Sequence, residues 1–305
     1  MSALFPFLLA ALMLLSAPAL QAQDLPATSA GENSLTLAVR DYRADTFMHQ
    51  QYQPLVDYLT TSTGIDVKLA VYNQEAMDRA IATNQVDLFL TNPSHFLLIR
   101  SQRSLTGVLA TLLRDWQGQS TGSIGGLIFT RADREDIQTL EDIKGASIAT
   151  PGVHFMGGYQ APALELTTVG MDVRRSSKVL YLGNHDRVIR AVVNGDTDVG
   201  FIRSGVLEDR LVQTPELAEQ LKVINPQNLT GYPFQVSTRL YPEWPLVSLP
   251  HVDGSQVRRI ASALFALEPD HPAAQAAGLA GFSPPADYQA VEDLARTLRV
   301  APYDQ

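Results

Sequence analysis

The chain has no cysteine among its 305 residues. That absence excludes disulfides, thiolate zinc sites, iron–sulfur clusters and cysteine nucleophiles together. It also removes the lipid-modified cysteine that would tether a bacterial lipoprotein. Basic residues are scarce: 23 Lys and Arg stand against 32 Asp and Glu, a formal charge of −9. Neutralising nucleic-acid phosphates needs Lys and Arg stripes, so a nucleic-acid partner is excluded, as is general attraction to anionic membranes. One small anion held by local donors stays compatible with that charge. Beyond the N-terminus no stretch reaches the ~18 apolar residues needed to span a bilayer. Three catalytic or metal patterns are missing as well. There is no Gly-x-Ser-x-Gly elbow, no Lys-Ser or Lys-Thr after paired glycines, and no His-x-x-x-His among the six histidines.

What is present begins with an apolar run, Leu4 to Leu15, followed by Ser16-Ala17-Pro18-Ala19 and Leu20-Gln21-Ala22. This is a secretory signal pattern over residues 1–22, although no Lys or Arg precedes the run. Export to the periplasm follows from it, with 23–33 as a leader. The length exceeds one core of about 100–200 residues, so two lobes are expected.

A strand–helix–strand unit occurs twice. Lys178 to Gly205 reads KVLYLG, NHDRVIRAVVNGD, TDVGFIRSG; earlier, VKLAVY, NQEAMDRAIATNQ and VDLFLTNP repeat the plan. Val188, Ile189, Val192 and Val193 fall at helical spacing, and Asn194-Gly195-Asp196 ends the helix. Arg79-Ala80-Ile81 answers Arg190-Ala191-Val192 at an offset of 190 − 79 = 111. So wide a separation means two similar α/β lobes, not a solenoid. Open parallel sheets bind ligands beyond the carboxyl ends of their strands. Asn92 and Ser94 lie there in the first copy; Gly183, Asn184, His185, Arg203 and Ser204 do in the second.

Between the copies, GSIGGLIFTR reads as the crossover, residues 137–142 as a short helix, and a further helix begins near Tyr159. FQVSTRLY reads as the strand returning to the first lobe, and residues 253–299 as mostly helical.

The loop Thr150 to Gln160 (TPGVHFMGGYQ) joins a strand to a helix. Its paired glycines allow close backbone approach, and free amides at the helix start favour an anion. A glycine turn needed only for chain reversal explains it equally. Asn184 or Asp186 could cap the next helix while His185 donates into the cleft; a surface histidine beside a cap is the alternative. Arg203 could grip an oxyanion in a bidentate pair, or salt-bridge Glu208 or Asp209. Tyr42 and Asn92 end strands of the other lobe; packing and a turn before Pro93 are their plainer roles.

With VDLFLTNPSHF, GSIGGLIFTR, ATPGVHFMGGYQAP and LGNHDRVIRAVVNGDTDVGFIRSG, the chain resembles the phosphonate-binding (PhnD-like) periplasmic substrate-binding proteins over about residues 35–300. FQVSTRLYPEWPLVSLPHV and DYQAVEDLARTLRVAPYD are similar to the sensing domains of histidine kinases that detect oxyanions such as tetrathionate. The resemblance implies a type 2 periplasmic-binding fold: two α/β lobes, two crossovers and a ligand cleft between. It implies no catalysis and no cofactor. Carried over, His185 and the amides around Gly157, Gly158 and Tyr159 contact the anion, with Tyr42, Asn92 and Ser123 contributing; Arg203 is added from its position alone. Asn184 stands where the family has serine, and Phe155-Met156-Gly157-Gly158 replaces its Ser/Thr-rich phosphonate pattern.

Lobe 1 is expected over 34–120 and 233–300 and lobe 2 over 121–232, with hinges near Gly118–Ser123 and Gly231–Phe234. The expected function is to close on a small oxyanion and present it to a membrane sensor kinase or an ABC permease. A ligand-independent kinase partner with a vestigial cleft, or a hydrolase using His185 with Asp186, are the alternatives.

Overall fold

Strand β1 (Ser34–Arg40) opens the fold and pairs in parallel with β2 (Asp66–Tyr72) and β3 (Leu88–Leu90). The computed structural model describes residues 33–105 and 107–304, so the export signal at 1–22 and most of the leader lie outside the described residues. Helix α1 (Asp45–Thr63) buries Met48, Tyr52, Leu55, Val56 and Leu59 at helical spacing. It stops at Gly64, whose φ of 66° lets its amide reach the Thr60 carbonyl. Helices α2 (Gln74–Ala82) and α3 (Pro93–Gln102) follow β2 and β3. Next come β4 (Val108–Trp116), β5 (Gln119–Thr121), β6 (Ser123–Ile124) and β7 (Gly126–Arg131). After β8 (Ser147–Thr150), a π-helix (Met156–Gln160) runs into α4 (Ala161–Thr167) and the short α5 (Val173–Ser176). Then come β9 (Lys178–Tyr181), α6 (His185–Val193), β10 (Val199–Arg203), α7 (Val206–Gln213), α8 (Leu217–Gln220) and β11 (Leu221–Ile224). The chain ends with β12 (Tyr241–Pro242), β13 (Pro245–Ser248), α9 (Gly254–Phe265), α10 (Pro272–Ala277), β14 (Leu279–Ser283) and α11 (Gln289–Leu298).

Two main sheets result. The first has the order β14-β4-β13-β3-β1-β2, with β5 on β4; the second has the order β11-β7-β10-β8-β9. In each, the repeated unit gives three parallel strands, β2-β1-β3 and β9-β8-β10. Helices α2 and α6 keep the offset read from sequence, 185 − 74 = 111. The chain crosses between the sheets twice, after β5 and after β11. Where the crossings run side by side, β6 and β12 form a small ladder, Ile124 opposite Tyr241 and Ser123 opposite Pro242. Two sheets with strand ends facing across a double crossover are the type 2 periplasmic-binding architecture.

Two local expectations need correction, and the mostly helical 253–299 region gains one strand. FQVSTRLY is not a strand: only Tyr241 of it pairs. Ser237 and Thr238 hydroxyls instead take the amides of Ile128 and Gly126, tying irregular backbone to the second sheet. The 253–299 region contains β14, which pairs antiparallel with β4. Its Ala-rich lead-in is helical only up to Gly278, whose φ of 64° ends α10. Residues 137–142 give only a 3-10 turn at Glu141–Ile143, because Asp142 accepts the amides of Gln138 and Thr139.

Candidate functional site

The register Val39 opposite Leu90 brings the ends of β1 and β3 out together, so residues 40–43 and 91–95 share one edge of the first sheet. Asn92 caps α3: its side-chain oxygen accepts the amides of Ser94 and His95. That leaves its buried Nδ2 without a hydrogen-bond partner. Tyr42 is fully buried, and its hydroxyl donates to Gln51 at 2.6 Å, inside its own half of the molecule. The face of the site therefore receives the Tyr42 ring, edge-on to His185 at 6.1 Å and to Trp244 at 5.3 Å.

From the second sheet come the loop after β8, the start of α6 and the end of β10. Asn184, not Asp186, caps α6 by accepting the Arg187 amide. His185 is 1% exposed, and its backbone amide donates across to the Tyr42 carbonyl at 3.0 Å. Burial first, then the charges of Arg203, Arg43 and Arg40, hold its imidazole well below the ordinary histidine range. It is neutral at physiological pH, and its Nδ1 is buried without a partner.

The amides of Gly157 and Gly158 lie in the first turn of the π-helix, where the helix supplies no acceptor. Those of Tyr159 and Gln160 are already committed to the Phe155 carbonyl. The glycines serve close packing: a Cβ on Gly158 would stand 2.7 Å from His185 Cε1, and one on Gly157 2.7 Å from the Gly125 carbonyl. Tyr159 turns its ring into the core behind the second sheet, 6.1 Å from Tyr181. Ser123 lies on the crossover ladder, where its amide donates to the Thr121 hydroxyl.

The two strand-end edges touch. Ser94 donates to Gln160 at 2.5 Å; Arg43 and the Ala44 amide bond Asp186 at 3.1 Å; Arg43 also reaches Asp209 at 3.5 Å. Arg203 pairs with Glu243, a wholly buried carboxylate near the second crossing, and with neither Glu208 nor Asp209. Arg40 lies 4.7 Å over the Phe155 ring, which stands 5.6 Å from His185. Burial pushes the Arg40 guanidinium down to about 10, so it stays charged, and its Nε is buried without a partner.

Arg40, Arg43, Glu243 and Trp244 were missed from the sequence. Arg40 closes SLTLAVR as Arg203 closes GFIR, so the same strand-end signal could have found it. Nothing local marks Glu243, which meets Arg203 from 40 residues away.

The chemistry available is hydrogen-bond donation in a desolvated setting. His185 and Asp186 diverge, the latter toward Arg43, so they form no dyad. Thr91, His95 and Asp78 do form a hydroxyl–imidazole–carboxylate chain, with both contacts at 2.8 Å. Thr91 is wholly buried there, which suits a fixed histidine and not a nucleophile. Among the described residues no group of three or more His, Asp or Glu is placed to hold a metal ion, and no helix is long and apolar enough to cross a membrane.

Residues 40–290 match the family described as ABC transporter, phosphonate, periplasmic substrate-binding protein. The tetrathionate sensor histidine kinase TtrS of Salmonella typhimurium is 26% identical over 271 residues, 85% of this chain and 43% of the kinase. The chain thus spans under half the length of that relative. The phosphate-import protein PhnD of Mycolicibacterium smegmatis is 25% identical over 248 residues, 77% of this chain and 76% of PhnD. Among solved structures, PhnD1 of Prochlorococcus marinus in complex with methylphosphonate superposes with a TM-score of 0.74 at 16% identity, covering 88% of this chain and 99% of PhnD1. That last likeness is one of fold.

Proposed function

The chain belongs to the periplasmic substrate-binding proteins of phosphonate ABC transporters, and from that premise we propose that it closes on a small oxyanion. The observation that carries this reading is a set of buried polar atoms without partners where the two sheets meet: the donors Arg40 Nε and Asn92 Nδ2, and His185 Nδ1, which donates in the tautomer that carries its proton there. Leaving such groups unpaired costs about 1–3 kcal/mol each, more for a charged one, and a bound oxyanion offsets that cost. The first-turn amides of Gly157 and Gly158 complete the donor set, and Phe155 and Tyr42 wall it. Tyr159 and Ser123 act indirectly, through the second core and the crossover. Arg203 shapes the wall while Glu243 holds its charge.

Closure brings lobe 1 (34–120 and 233–300) onto lobe 2 (121–232), bending near Gly118–Ser123 and Gly231–Phe234. The left-handed backbone of Gly118 and Gly231, with open space around both, supports those hinges. The closed form is then read by a membrane sensor kinase, a partner supported by the likeness to TtrS, or by a permease, supported by the likeness to PhnD. Differential scanning fluorimetry over phosphate, methylphosphonate, thiosulfate, tetrathionate and sulfate tests the binding step. A ligand at 100 times its dissociation constant adds about 2.7 kcal/mol to stability. A rise in Tm with at least one of them is expected; no rise with any would overturn the reading.

A further inference from the structure

The four buried guanidiniums around this site already meet four carboxylates, one of which, Asp186, is shared with the part-exposed Arg210 at 3.9 Å. Arg203 holds Glu243; Arg43 holds Asp186 and Asp209; Arg114 on β4 shares Asp209 at 3.4 Å; Arg40 holds Asp41. Asp78, whose charge also reaches Arg40, pairs with His95. Each buried guanidinium therefore meets a carboxylate of the protein before any ligand arrives. What is left over is directional: guanidinium N–H groups on Arg40, Arg43 and Arg114, the indole N–H of Trp244, an amide N–H on Asn92, an imidazole nitrogen on His185 and two backbone amides.

We propose that this site selects oxyanions carrying a single negative charge over isosteric dianions. The inference rests on the oxyanion reading above and narrows its ligand class. A monoanion needs only those leftover donors, among them Arg40, whose ion-pair partner Asp41 is itself part-exposed. A dianion brings a second desolvated charge that finds no unbalanced cation, in a setting where Asp41, Asp186, Asp209 and Glu243 already place negative charge. Neutral donors can hold a charge by hydrogen bonds, but each added charge needs its own set. The neutral His185 strengthens the effect, because it supplies a hydrogen bond without adding a positive charge. A protein net charge of −9 supplies no compensating field from outside the cleft.

Two isosteric pairs separate charge from shape: methanesulfonate against methylphosphonate, and perchlorate against sulfate. Calorimetric titration of the whole protein at pH 8.5 keeps methylphosphonate and sulfate dianionic and the buried His185 neutral. The expected result is tenfold or greater preference for the monoanion in the pair that fits the site better. Equal or tighter binding of the dianion would overturn the proposal while leaving oxyanion binding intact. No binding of any of the four at millimolar concentration would overturn the proposal, and the oxyanion reading falls with it only if the thermal screen also shows no rise with any anion.

Discussion

The first and second sheets each end a strand in an arginine that is almost wholly buried, Arg40 closing β1 and Arg203 closing β10. Arg203 is answered by Glu243, a carboxylate without solvent exposure, whose second oxygen accepts the Trp244 amide at 3.0 Å. The rings of Tyr42 and Trp244 stand under its guanidinium at 5.6 and 5.8 Å. Arg40 is answered only by its neighbour Asp41, whose side chain is 29% exposed, and its Nε meets no acceptor. Burial alone thus fails to distinguish a ligand-facing arginine from a structural one. Completeness of pairing does: Arg203 belongs to the frame and Arg40 to the donor set.

The sharpest way to break that comparison is Arg203→Met. It strands Glu243 as an uncompensated buried charge and should cost about 3–5 kcal/mol in urea unfolding. The double variant Arg203→Met, Glu243→Met should recover most of the loss, since apolar replacement of a buried pair is often neutral. If Arg203→Met alone unfolds like the wild type, the pair is not structural and the contrast with Arg40 collapses.

A smaller effect is expected at the contact between the two strand-end edges. Asp186→Asn weakens acceptance from Arg43 and the Ala44 amide, and Arg43 keeps Asp209 at 3.5 Å. Asp186 is 14% exposed, so solvent moderates the loss, and about 1–2 kcal/mol is expected in the same unfolding assay. No change would mean that Arg43 is held by Asp209 alone.

The mildest test uses pH. His185 is pushed down by burial and by the charges of Arg203, Arg43 and Arg40; burial also lowers His95 and His154. Below 6.5 the unfolded chain binds protons that these folded histidines resist, so stability falls as pH drops from 6.5 toward their folded values. Glu208 works in the opposite direction at lower pH, because burial raises its carboxyl above 4.5. Tm should therefore decline between pH 7 and 5.5, and His185→Gln should flatten the slope. A flat wild-type profile would contradict a buried, neutral His185.

Much of the fold was legible because its signals are local and repeated. The two strand–helix–strand units, their offset and a cap for α6 at Asn184 or Asp186 follow from a few adjacent residues, and Asn184 is the one that caps. Segment 234–240 was misread because β-branched and aromatic residues promise a strand, whereas the hydroxyls of Ser237 and Thr238 satisfy the backbone differently. At the site, Asn92 and His185 stood out as polar residues at strand ends. The partner that neutralises Arg203, and the carboxylates around Arg43, lie 40 to 166 residues away in the chain, and no spacing rule anticipates them. Pairing is a tertiary property, and it is pairing that assigns Arg40, and not Arg203, to the proposed donor set.

The most direct test of the central claim is calorimetric titration of wild type and Arg40→Gln with whichever oxyanion gives the largest thermal shift. Loss of a hydrogen bond to a charged group costs about 1.5–3 kcal/mol, which is a 10- to 150-fold loss of affinity. That loss is predicted for Arg40→Gln with its Tm close to wild type, and the same range is expected for His185→Ala. Unaltered affinity in both variants would contradict the account and place the ligand elsewhere.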